Sequence, residues 1–171
     1  MQALIIFFAE LCALRRAPQD LPASEILLGI VAIANLVVGV LVGLVARVAI
    51  GPILSRTIVV IALTLLLLYG ALRLVGRGAR FMQSATALLG SEALIGALML
   101  IPLSFNPFGS QETELAALGA LLFIVLIVWS LVVTGHILRH TFEMTLAQGA
   151  AIAFAFKIGM ALLVGILFGG S

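Results

Sequence analysis

The chain has 171 residues, 64% of them apolar and 9% charged, with seven acids, nine bases and a mean hydropathy of +1.35. A water-soluble domain is about half apolar and about a quarter charged, so this chain cannot coat a water-facing surface unless lipid is the solvent for most of it. The net charge of +2 comes from bases at the edges of apolar runs, not from a basic block with interleaved aromatics, and no nucleic-acid partner is expected.

Residues Leu4 to Leu14 are apolar but too few to span, contain Glu10 and are closed by Arg15-Arg16. They read as a short interfacial helix, with a half-span packed on the bundle as the alternative. No basic stretch precedes them, so a cleaved leader is not expected. Pro18 and Pro22 then break the chain, Ser24 is placed to cap the next helix, and Glu25 suits its positive end.

A span needs about 20 mostly apolar residues. Five segments qualify: Ile26 to Ala46, Thr57 to Val75, Met82 to Leu103, Leu115 to Ile137 and Ala147 to Phe168. The expected fold is an all-α polytopic transmembrane bundle of five helices with a short N-terminal interfacial helix. Residues 1-25 form the N-terminal helix and turn, and 26-171 the transmembrane domain.

Basic residues are retained on the cytoplasmic side. The N-terminal segment and the second and fourth loops share one face and hold Arg15, Arg16, Arg73, Arg77, Arg80 and Arg139, against Arg47 and Arg56 in the first loop. This predicts a cytoplasmic N-terminus and an outside C-terminus. The third loop, from Ser104 to Glu114, has acids but no bases, in keeping with an outside position. An odd number of spans does not divide into two equal inverted halves, which argues against a repeat-built transporter.

Two charges fall near span centres, Glu92 in the third and Lys157 in the fifth. Each costs roughly 2.5–3.5 kcal/mol at mid-membrane if ionised and alone. Both spans run in the same direction, so the two centres share a depth, and a Glu92–Lys157 bridge is expected. Gly149, Ala153, Lys157, Ala161, Gly165 and Gly169 recur every four residues as a small-residue stripe that would admit another helix. Asn35 lies on a first-span stripe with Ala32, Gly39 and Gly43, the last two in GxxxG spacing, and is a candidate third member of the polar centre. Two roles stay open for this centre, a structural bridge that fixes helix pairing and a site that handles protons or a charged cargo.

His136, His140 and Glu143 are spaced i, i+4, i+7, but no further ligand run accompanies them, so neither metal nor haem is expected. Arg73, Arg77, Arg80 and Arg139 are candidates for contact with anionic headgroups, or serve orientation alone. Neither GxSxG nor HExxH occurs, and no Ser, His and acid share a depth, so no catalytic residues are assigned. Cys12, the single cysteine, excludes an intramolecular disulfide and has apolar neighbours.

Four short stretches, Gly76 to Gln83, Pro102-Leu103, Val128 to Leu131 and Leu146-Ala147, together resemble motifs of the Yip-domain family of small five-span membrane proteins. Gly76-Arg77-Gly78-Ala79-Arg80-Phe81-Met82-Gln83 is similar to that family's Gly-rich, basic entry to the third span. Pro102-Leu103 resembles the end of that span, Val128-Trp129-Ser130-Leu131 its fourth-span motif, and Leu146-Ala147 the opening of its fifth. The resemblance covers roughly residues 26 to 170. The Asp-Leu-Tyr-Gly-Pro segment of eukaryotic members is missing, since Asp20-Leu21 is followed by Pro22, which sets aside their small-GTPase partners. The resemblance implies a non-enzymatic protein of the bacterial inner membrane that acts through interaction with another membrane protein, with itself or with lipids, without a cofactor. A small permease subunit using Glu92 and Lys157 is the alternative.

Overall fold

A computed structural model describes residues 2–105 and 113–168, all of whose regular elements are helical. Helix α1 covers Gln2–Cys12, α2 Glu25–Val45, α3 Ile50–Leu74, α4 Phe81–Ser104, α5 Glu114–Phe142 and α6 Leu146–Phe168. The last five are long and apolar enough to cross a membrane, which makes the chain an integral membrane protein.

Helix starts follow local chemistry. The Ser24 hydroxyl accepts from the Leu27 amide and the Thr113 hydroxyl from the Ala116 amide, each relieving an orphan N–H of a first turn. Thr145 and Gln148 cap α6 reciprocally, the Gln148 amide donating to the Thr145 hydroxyl and the Thr145 amide to Gln148 Oε1. Helix α3 begins at Ile50, earlier than the expected Thr57, and so takes in Arg56. Pro52 is no obstacle there, because a first-turn residue has no intrahelical N–H bond to lose. Most of the expected third loop, residues 106–112, lies outside the described residues, as does Gly169.

Helix α4 is the centre of the bundle: 56% of its span is buried, against 17% or less for each of the other four. Its composition explains this. Ser84, Ala85, Thr86, Ala87, Gly90, Ser91 and Ala93 leave it the least hydropathic of the five, and small side chains let neighbours approach on every side. Helices α2 and α5 flank it, α3 rests on α2, and α6 rests on α5.

The short helix α1 packs one face on the bundle and leaves Ile5 and Ile6 of the other face exposed. Phe8, Leu11 and Cys12 are buried in the core, and the Phe8 ring fills the space over Gly90. Glu10 is neutralised by Arg16 at 2.9 Å.

The tightest crossing joins α5 to α6. A Cβ on Gly149 would sit 2.5 Å from the Gly135 carbonyl oxygen, and one on Gly135 would sit 2.9 Å from the Ala150 Cα, so the two backbones touch. Gly39 and Gly43 serve the α2–α3 contact by leaving room for the side chains of Thr57 and Ile53. The small-residue stripe of α6 holds only in part. Each four-residue step overshoots a full turn by about 40°, so a row that faces α5 at Gly149 and Ala153 has rolled outward by Ala161 and Gly165, both exposed. The inward face continues through Met160 and Val164 instead.

Replacing Gly149 by Ala forces two backbones apart and should cost about 1–3 kcal/mol. Gly165→Ala, with nothing within 4 Å of the added carbon, should stay within about 0.5 kcal/mol. Thermal unfolding of the purified protein in detergent distinguishes the two, and equal losses would contradict the assigned crossing.

Candidate functional site

The polar centre forms where the charges require it. Lys157 Nζ donates to Glu92 Oε1 at 2.7 Å, with 32% and 21% of the respective side chains exposed. Glu92 and Lys157 each lie eleven residues from the start of their helix, a rise of about 16 Å, so the two meet near mid-depth. Attraction of roughly 4 kcal/mol at an effective dielectric near 20 offsets much of the cost of placing both charges in lipid. Asn35 does not bond to this pair. Its Nδ2 donates to the Leu89 carbonyl at 3.1 Å, one turn away along α4, and ties α2 to the central helix.

A second polar cluster gathers at one end of the bundle, where the N-terminal turn, the α3–α4 connection and the α5–α6 connection meet. Helix α5 ends there with carbonyls that have no helical donor. Gln19 Nε2 donates to the His140 carbonyl at 2.8 Å, and Arg80 Nη1 donates to the carbonyls of His140 and Thr141 at 3.3 Å each. A guanidinium at a helix C-terminus also suits the negative end of its dipole. Gln83 Nε2 donates to the Leu21 and Gln19 carbonyls at 2.7 and 3.1 Å, which docks the N-terminal turn on α4. The Thr141 hydroxyl donates to the Ile137 carbonyl, so in its 2.9 Å contact with Ser84 the serine is the donor.

Glu143 completes this cluster. It sits past the end of α5 at φ 52°, in the left-handed region, and its carboxylate receives Arg77 Nη2 at 2.6 Å on one oxygen and Arg80 on the other. The Arg80 hydrogen bond first, then the charges of Arg77 and Arg80, hold the Glu143 carboxyl below its usual pKa. Two of the four arginines expected at headgroups are thus engaged in a clamp between two loops. Arg73 lies over the Tyr69 ring at 5.2 Å, with its Nε donating to the phenol oxygen at 2.8 Å, and Arg139 is half-buried where α5 meets Gly149.

The spaced residues His136, His140 and Glu143 separate in their roles. The imidazoles of His136 and His140 meet edge to face at 4.6 Å. His136 Nε2 lies 2.8 Å from the Arg16 carbonyl, an acceptor only, so that nitrogen carries the proton. Burial pushes the Cys12 thiol up to about 11 and holds it protonated at neutral pH. Gln19 and Thr141 carry no local mark, because nothing nearby in the sequence identifies a glutamine as the partner of a helix end 121 residues away. Ser84 lies against Thr141 at the level of His140 and Glu143, so the expectation that no Ser, His and acid share a depth does not hold, but the Ser84 hydroxyl is bonded to Thr141 and not to either of them.

Five spanning helices around a small-residue centre, with opposite charges joined at mid-depth, define an all-α polytopic membrane protein. No protein-family model, curated protein or solved structure matches the chain.

The lowered value at Glu143 fixes the sign of a pH effect. The clamp contributes stability above the ordinary carboxylate range, and that contribution is lost as the pH falls below about 4.3 and through the lowered folded value. Glu143→Gln should therefore melt at a lower temperature than the parent chain at neutral pH, and the two melting curves should converge under acid. Curves that stay parallel down to pH 3 would contradict the clamp.

Proposed function

We propose that this chain is a non-enzymatic protein of the Yip-like five-span type in the bacterial inner membrane, acting through contacts with another membrane protein or with lipids. The observation that carries this reading is the 2.7 Å bridge, in which each mid-depth charge is answered by the other. Such a pair has a structural use, since it fixes the depth and pairing of α4 and α6. The basic end supports a cytoplasmic N-terminus: Arg15, Arg16, Arg73, Arg77, Arg80 and Arg139 lie toward the end where the N-terminal turn docks, while Arg47 and Arg56 lie toward the other. The partial exposure of Lys157 and Glu92 favours the rival reading, a small permease subunit in which the pair exchanges protons or holds a charged group.

Removing both charges together separates these readings. A structural pair replaced by apolar residues of similar volume is tolerated, whereas removing one member costs about 3–5 kcal/mol. Glu92→Leu with Lys157→Met should retain the fold and the set of membrane proteins and lipids that co-purify in mild detergent, while Glu92→Leu alone should not. A folded double variant that has lost a pH-dependent flux shown by the parent chain in vesicles would instead establish the permease reading.

A further inference from the structure

Helix α3 leans on α2 and meets α5 and α6 only lightly, which leaves an open groove of about 490 Å³ whose lining reaches Val75 and Met144, the residues that follow α3 and α5 toward the basic end. Ligand pockets of roughly 300–1,000 Å³ bracket that size. Leu67 and Ala71 of α3, Leu138 and Phe142 of α5 and Phe156 of α6 line it, and Thr134 is its single polar lining side chain. From Thr134 to Phe142 the groove follows α5 for eight residues, about 12 Å, against roughly 15 Å for one leaflet of the hydrocarbon core. A slot so apolar, so placed and nearly a leaflet deep has the dimensions of an extended hydrocarbon chain.

Charged residues lie next in sequence to the lining at one end of the groove. Val75 and Met144 line that end, where Leu74 is 90% exposed. Arg77 follows Val75 by two residues and Glu143 immediately precedes Met144. The clamp sets two guanidinium groups against one carboxylate, so it keeps a net positive charge. Within it, Arg77 Nη2 is bonded to Glu143, while Nη1 is buried without a partner. An enclosed donor left unsatisfied is costly, and an anionic oxygen arriving at that end would satisfy it after a rotation of the guanidinium.

We propose that the groove holds one acyl chain of an anionic phospholipid drawn from the leaflet at this end, with the phosphate received by Arg77. This rests on the reading of the chain as a membrane protein that acts through contacts, and it names the contact. An uncharged lipid fits the walls but leaves Arg77 as it is, so selectivity resides in the headgroup charge.

The full chain in dodecyl maltoside is titrated with phosphatidylglycerol or phosphatidylcholine, and the bound fraction is read by native mass spectrometry. Phosphatidylglycerol should bind about fivefold more tightly, as expected for one basic contact. Arg77→Gln should abolish that preference, and Ala71→Trp, which fills the slot, should weaken both lipids. Melting temperatures check that each variant is folded. Should Ala71→Trp unfold the chain, phosphatidylglycerol with a photoreactive group at the chain tip replaces it and should label peptides containing Thr134, Leu138 or Phe156. Equal affinity for the two lipids, a preference that survives Arg77→Gln, or labelling confined to other faces would overturn the assignment. Failure here with the co-purifying set unchanged would leave the contact reading intact. Proof of flux through the Glu92–Lys157 pair would remove that reading without altering the lipid result.

Discussion

A charge at the middle of a bilayer can be relieved only by a partner, by neutralisation or by reaching the interface, and neither Glu92 nor Lys157 is placed to reach it. Their joining constrains the bundle well beyond the pair. With α5 crossing back between them, α4 and α6 run in the same direction and the α3–α4 and α5–α6 connections share one end, and the bridge then fixes the axial register of α4 against α6. Helix α6 takes its packing from α5, through the Gly135–Gly149 crossing, and α5 in turn packs on α4. The bridge therefore closes a circuit of three helices that backbone contact alone would leave open on one side.

The same geometry accounts for the polar end. Once the three connections share one end of the bundle, the last carbonyls of α5 face the start of α4 and the N-terminal turn, and donors must come from those neighbours. Arg80, Gln19 and Gln83 supply them, and Glu143 draws in Arg77. The two polar layers lie about 16 Å apart along the helices and hold the bundle at its middle and at one end. Between them α3 stands away from α5 and α6, which is where the apolar groove opens.

Much of this was legible in the residues. The five spans follow from unbroken hydropathy, and the Glu92–Lys157 bridge from the cost of isolating either charge. The central place of α4 went unread, although its run of small residues from Ser84 to Ala93 is what lets neighbours close around that half of it. Other features were illegible for physical reasons. A four-residue repeat looks like a face but winds off it, so Ala161 and Gly165 point away from α5. The clamp of Arg77 and Arg80 on Glu143 was illegible because Glu143 is more than 60 residues distant and comes within reach only when two loops are brought together. Asn35 shared a depth with the charges, yet its amide found a backbone carbonyl nearer than either.

The bridge as organiser of the bundle is tested most directly by exchanging its ends. Thermal stability in detergent would be compared for the parent chain, Glu92→Lys, Lys157→Glu and the chain carrying both changes. Each single variant leaves two like charges at mid-depth and should lose several kcal/mol. The exchanged pair restores opposite signs at the same place and should recover most of that loss. An exchanged chain no more stable than the worse single variant would show that α4 and α6 are held by something other than this contact.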